Sequence, residues 1–168
     1  MATKDFSNVQ EKQIAEYLGW KVVSGSGARC FHPGDVECDE WLGECKTHTS
    51  LQSDIKFNKS FWDKISEEAS SKFKYPVLFV DNGSLNIGDT WALFNYDLVR
   101  PIQSHCIKSK NIRVRTNIIF DHIDVKSEYY DMLGVCKSDT IPVILLNIWG
   151  QSLGILPLFK FLCMIRGD

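Results

Sequence analysis

A chain of 168 residues with 44% hydrophobic and 24% charged residues is long enough to bury a core and fits a single domain. Its formal charge of −2 excludes a bulk electrostatic pull toward nucleic acid, so any such contact has to come from local clusters of Lys and Arg. Six cysteines follow no disulfide framework, and Met1-Ala2-Thr3-Lys4-Asp5 is not an apolar signal segment. The expectation is a reduced, cytoplasmic protein whose cysteines serve mostly as small core residues.

Ser7-Asn8-Val9-Gln10 has the form of a capping box, with Ser7 at the N-cap and Gln10 three residues on. The helix it opens runs to about Leu18, and Gly19 suits the position after its end. Ile14, Ala15 and Leu18 lie three, four and seven residues after Glu11 and share its face, while Glu16 points elsewhere. Burying a lone carboxylate is costly. Glu11 is therefore either a water-facing edge residue of an amphipathic helix or a carboxylate aimed at a site. Trp20-Lys21-Val22-Val23 is expected to be the first strand. Ser24-Gly25-Ser26-Gly27-Ala28 follows, a flexible loop or one whose glycines let the backbone approach a ligand and whose hydroxyls donate to phosphate.

Phe31 to Thr47 is expected to form two short strands joined by a tight corner at Cys38-Asp39-Glu40-Trp41. If that loop is symmetric about Asp39-Glu40, Asp35 lies directly across from Glu44, with Cβ atoms roughly 4.5–5.5 Å apart. Lys46 then projects from the face of Glu44, and Gly43 and Cys45 from the other. Like charges opposed across strands repel. A divalent metal compensates such a pair, and carboxylates with water are the ligands that suit Mg²⁺. Cys30, His32, Cys38, Cys45 and His48 raise zinc as a competing idea, but their spacing lacks the paired Cys-x-x-Cys knuckles of a zinc site.

Thr47 to Lys59 is polar and carries Lys56 and Lys59. Asn58 or Ser60 caps a helix whose apolar face is Phe61, Trp62, Ile65 and Ala69. Tyr75-Pro76-Val77-Leu78-Phe79-Val80 has the composition of a buried strand. Asp81-Asn82-Gly83-Ser84 turns, and Thr90-Trp91-Ala92-Leu93-Phe94 returns. The order αβββαβ predicts an α/β sandwich around a central mixed sheet. Between Leu98 and Phe120 the chain carries Arg100, Lys108, Lys110, Arg113 and Arg115 and no acid. That run is either a solvated basic loop or a phosphate-contacting arm. Residues 141–165 are apolar with Lys160 their only charge. Asn147, Gly150-Gln151-Ser152, Gly154 and Pro157 interrupt them, whereas a membrane span needs about 20 apolar residues in a row. The expected pattern is strand, turn, strand, then a short helix from Pro157, with no membrane partner. Pro142-Val143-Ile144-Leu145 faintly echoes Pro76-Val77-Leu78-Phe79, as a repeated hairpin would.

An acid, a hairpin and then Glu44-Cys45-Lys46 resemble the PD-(D/E)xK nuclease superfamily. The flanking Glu11-Lys12-Gln13-Ile14-Ala15, the Ser24–Ala28 loop with Arg29, Thr47-His48-Thr49-Ser50 and the strand from Tyr75 extend the likeness to its Holliday-junction resolvases, most of all the phage branch. The resemblance spans residues 7–97. Gly34 separates Pro33 from Asp35, a departure from the Pro-Asp pair. The competing acid-x-Lys, Asp124-Val125-Lys126, has its nearest upstream acid at Asp121, too close for a hairpin. The resemblance implies a restriction-endonuclease-like core over residues 1–97 and a C-terminal extension over 98–168, either separate or packed on the same domain. It implies catalytic Glu11, Asp35, Glu44 and Lys46. Mg²⁺, or Mn²⁺ in its place, would be held by Asp35, Glu44 and the Cys45 carbonyl, with Glu11 completing or tuning the site. It further implies a homodimer acting on branched DNA in the cytoplasm, of the host if phage-encoded, with in-line attack leaving a 5′-phosphate and a 3′-hydroxyl. Candidate DNA contacts are Ser26, Arg29, Lys56, Lys59, Lys108, Lys110, Arg113 and Arg115. A restriction-type, repair or nicking nuclease on the same fold, and a binding module without catalysis, are the alternatives.

Overall fold

The computed structural model describes residues 3–23, 33–99, 122–125 and 143–166. Helix α1 (Thr3–Leu18) starts four residues before the expected Ser7 cap, so Ser7 and Gln10 lie inside it. The capping-box expectation fails because Gln10 is committed elsewhere. Its side chain is buried and its amide donates to the Lys46 carbonyl at 2.9 Å, while Asp5 supplies the acid of the first turn. The far end matches the sequence. Gly19 has φ of +73°, its N–H donates to the Glu16 carbonyl and that of Trp20 to the Ala15 carbonyl, the paired bonds of a Schellman ending.

Strands β1 (Lys21–Val22), β2 (Val36–Glu37) and β3 (Trp41–Lys46) follow and pair antiparallel. Strand β4 (Ile55–Asn58) then leads directly into α2 (Lys59–Ser71). β4 is absent from the expected order, since its partner lies far along the chain. Helix α2 buries Trp62, Ile65 and Ala69, the apolar face its spacing predicts. β5 (Tyr75–Val80) runs parallel to β3, from Trp41 beside Tyr75 to Lys46 beside Val80. A 3₁₀ turn at Ile87–Asp89, β6 (Trp91–Asn95) and the short α3 (Tyr96–Val99) come next. β7 (His122–Val125) pairs with β4 as a separate two-stranded sheet.

The C-terminal part forms β8 (Ile144–Ile148), β9 (Gln151–Pro157) and α4 (Leu158–Arg166), the strand, turn, strand and helix expected. Trp149 and Gly150 both have positive φ, 55° and 74°, as a two-residue hairpin turn of matching twist requires. β9 pairs with β6, so residues 143–166 share one sheet with the N-terminal part. The seven strands run in the order β1-β2-β3-β5-β6-β9-β8. The β5–β6 and β8–β9 hairpins lie side by side in that order; Pro142 of the echoing segment lies outside the described residues.

Alternation along the strands divides the core between the two faces of the sheet. Val36, Cys45, Val77, Phe79 and Phe94 pack with Ile14 and Leu18 of α1 and Phe161 and Met164 of α4. Leu42, Leu78, Leu93 and Ile155 pack with Trp62 and Ile65 of α2 and Phe57, Ile123 and Val125 of the small sheet. The molecule is thus α/β, a mixed sheet flanked by helices. Among the described residues no helix is long and apolar enough to cross a membrane.

Candidate active site

Strands β3 and β5 are parallel, so their C-terminal ends share one edge of the sheet, and the candidate residues gather there. β2 and β3 pair Val36 with Gly43 and Glu37 with Leu42. The ladder ends there: the Asp35 N–H turns to the Gly43 carbonyl, already opposite Val36, so the direct Asp35–Glu44 opposition expected from a symmetric corner is not part of the pairing, although Asp35 lies close enough to Glu44 to feel its charge. Asp35 is fixed from both sides through its backbone. Its N–H donates to the Gly43 carbonyl at 2.8 Å, and its carbonyl accepts from Val23 at 2.8 Å. Its carboxylate Oδ2 accepts the Cys45 N–H at 2.8 Å. The inserted Gly34 has a definite role. Its φ is +74° and a Cβ there would meet Leu42 at 2.7 Å, while its N–H donates to Glu68 Oε2 on α2 at 2.9 Å. Only glycine makes that turn, and it ties the chain entering Asp35 to α2.

Glu44 is buried and holds two ammonium groups. Lys46 Nζ lies 2.6 Å from Oε1. Lys64 Nζ, from α2, lies 3.0 Å from Oε1 and 3.1 Å from Oε2. Lys46 also donates to the Cys45 carbonyl at 3.2 Å and sits 5.1 Å from the centre of the Phe61 ring. The Cys45 thiol is buried among apolar residues on the α1 face, away from Glu44, and burial pushes its pKa well up.

Glu11 approaches from α1 and is half-buried, whereas Glu16 is exposed. Its pKa is raised to about 7, first by burial and next by the charge of Asp35, with Glu44 adding to it and Lys46 opposing. Asp35 is raised too, by burial and then by Glu44, against the Cys45 hydrogen bond. Lys64 loses by burial but gains more from its hydrogen bond and charge contact with Glu44, so its pKa is raised overall. Glu11, Asp35, Glu44 and Lys46 thus form one electrostatic group at one sheet edge.

No protein-family model matches the chain, nor does any curated protein or solved structure. What the cluster can do has to be argued from its own geometry.

Among the described residues no three His, Cys, Asp or Glu side chains form a ready-made metal cage. Mg²⁺ does not need one. It binds through one or two carboxylates and completes its shell with water and phosphate oxygens. Asp35, just before β2, and Glu44, on β3, would be the pair available for one such ion. The pKa values of Asp35 and Glu11 are raised first by burial and next by the neighbouring carboxylate. The oxygen donors fit a hard divalent ion, although the Cys45 carbonyl and both Glu44 oxygens accept from lysines here.

Sequence reasoning missed two residues. Lys64 lies three residues after Phe61 and four before Glu68, a spacing that puts all three on one side of α2; tracking apolar positions alone hides it. Asp81 follows β5 at the same edge, fully buried. Its N–H donates to the Lys46 carbonyl, and its Oδ1 accepts from Thr47 Oγ1 and the Gly83 N–H, both at 2.6 Å. Burial raises its pKa against those bonds. Asp-Asn-Gly-Ser announces only a turn. Of the expected DNA contacts, Lys59 pairs with Asp63 one helical turn on. Lys56 is exposed on β4, where the register sets it opposite Asp124. Asp124, of the competing acid-x-Lys, therefore belongs to the small sheet and not to the edge of Asp35 and Glu44. Ser26, Arg29, Arg100, Lys108, Lys110, Arg113 and Arg115, and Cys30 and His32 of the zinc alternative, lie outside the described residues.

Proposed function

We propose that the chain is a metal-dependent, structure-specific DNA endonuclease that resolves four-way junctions on a restriction-endonuclease-like core. The observation that carries this reading is the meeting of Asp35, Glu44, Lys46 and Glu11 where β3 and β5 end. Two carboxylates from one hairpin close enough to feel each other's charge, a lysine two residues on and a helix carboxylate suit metal-assisted phosphodiester hydrolysis. Mg²⁺, or Mn²⁺, would be held by Asp35 and Glu44, with the Cys45 carbonyl and Glu11 as further oxygen donors. When bound, such a metal lowers the pKa of a water and polarises the phosphate. Lys46 orients the attacking water and stabilises charge developing on the phosphate. Glu11, with a pKa near 7, is poised to hold or release a proton at working pH. One site makes one cut, and a junction needs two symmetric cuts, which a two-fold dimer supplies. The proposed partners are therefore a second copy and branched DNA.

The test is cleavage of a four-way junction and of a matched linear duplex with Mg²⁺, alongside light scattering at micromolar concentration. A dimer that cuts the junction preferentially is expected. A monomer that cuts both substrates equally would replace junction resolution by general nuclease activity.

A further inference from the structure

The sequence pattern assigns no work to Lys64, yet its ammonium reaches both oxygens of Glu44, at 3.0 and 3.1 Å. An ammonium astride both oxygens stands where a cation chelated by that carboxylate would stand. The two partners differ in freedom to move. The Glu44 side chain is 3% exposed and that of Lys64 is 51% exposed, so the lysine is the one that can leave. Its flexible four-carbon stem has a second acceptor within reach, Glu68 Oε1 at 3.8 Å, on a residue held in place by the Gly34 N–H. Charge balance points the same way. Glu11, Asp35, Glu44 and Glu68, when ionised, outnumber Lys46 and Lys64 by two negative charges, which one divalent cation neutralises.

We propose that Lys64 is a stand-in cation: it holds Glu44 while no metal is bound, gives the carboxylate up when a divalent metal arrives, and turns to a backbone phosphate of the DNA. The proposal rests on Glu44 being a metal ligand. It makes Lys64 a competitor of the metal in the free protein and a phosphate contact in the complex, two effects of opposite sign.

Mn²⁺ alone is titrated calorimetrically into the wild type, Lys64→Met, Lys64→Gln, Lys72→Met and Glu44→Gln, each checked for a cooperative melt. Both Lys64 variants should bind Mn²⁺ at least about threefold more tightly, as removal of a charge-charge competitor predicts. Lys72→Met, just beyond the same helix but paired with Glu37, should bind as the wild type does. Junction binding in Ca²⁺ should lose about one phosphate contact from its salt dependence in the Lys64 variants. Mn²⁺ affinity in both Lys64 variants equal to or weaker than wild type would overturn the stand-in role while leaving the nuclease reading intact. A wild type that binds no Mn²⁺, or a Glu44→Gln variant that binds it normally, would overturn the nuclease reading and the stand-in role together.

Discussion

Two carboxylates of the same hairpin each hold two lysines, and they live in different worlds. Glu37, at one end of β2, pairs with Lys74 at 2.9 Å and Lys72 at 3.3 Å. Its pKa is lowered, first by the Lys74 hydrogen bond, as for any acid with its cations to itself. Glu44, on β3, pairs with Lys46 at 2.6 Å and Lys64 at 3.0 Å, yet its neighbours Asp35 and Glu11 are both pushed upward, first by burial. The number of ion pairs therefore does not mark a functional site. What separates the two ends is burial of several carboxylates together, which raises their pKa values first by desolvation and then by mutual charge.

The sharpest way to break the comparison is to remove charge without shape at each end. Asp35→Asn and Glu44→Gln should each lower junction cleavage by at least about 100-fold, the scale on which single transition-state contacts act. Melting should stay cooperative and junction binding largely intact. Glu37→Gln should leave cleavage within about twofold, as a substitution away from the chemistry does. Equal losses at the two ends would mean that Glu44 is another structural ion pair. Lys46→Ala should also be inactive yet still bind Mn²⁺, since its proposed work is on water and phosphate; loss of Mn²⁺ binding in that variant would reassign Lys46 to holding the carboxylates.

Much of this site is legible in the sequence because it depends on local periodicity. A symmetric corner sets the Glu37–Leu42 and Val36–Gly43 pairs that carry Asp35 toward Glu44, and a spacing of three, four and seven residues turns Glu11 toward the core. What escapes depends on distant partners. β4, Ile-Lys-Phe-Asn, is a short alternation inside an otherwise polar segment, and becomes a strand because Ile55 and Phe57 meet Val125 and Ile123, more than sixty residues away in the chain. Gln10 leaves the expected capping role for the Lys46 carbonyl. Lys64 and Asp81 acquire meaning only once β3, β5 and α2 are packed, because the local spacing of Lys64 names Glu68 as its partner and not Glu44, and Asp81 belongs to a plain turn sequence.

Glu11 sharpens the comparison through pH. Its folded pKa is about 7 against an ordinary 4.5, so between those values the folded chain keeps a proton that the unfolded chain has lost. Folding stability should therefore fall as pH rises from about 4.5 to about 7, with Asp35 contributing in the same direction. Glu11→Gln should flatten that decline in metal-free thermal melts, and Glu16→Gln should not. Glu11→Gln should also cost more cleavage activity than Glu16→Gln. Identical behaviour of the two variants would show that the shared face with Ile14 and Leu18 does not bring Glu11 to the site.

The smallest effect is expected at the other end, with the opposite sign in pH. Glu37 has a depressed pKa, so its ion pairs stabilise the fold above the unfolded carboxylate value and are lost as pH falls through the folded one. Lys72→Ala removes the longer contact, 3.3 Å, between partly exposed groups, which limits its worth to about 0.5 kcal/mol. Lys74→Ala should cost somewhat more, up to about 1 kcal/mol, because Lys74 also donates to the Cys38 carbonyl at 2.7 Å. Both losses should shrink in high salt, which screens exposed charges, and the charge-dependent part should vanish at a pH low enough to protonate Glu37. Neither variant should move the pH at which Glu11→Gln flattens the stability curve, since Glu37 is absent from the charges that shift Glu11. A shared pH response would mean that the two ends of the hairpin form one electrostatic network, and Glu37 would then belong with the carboxylates of the site.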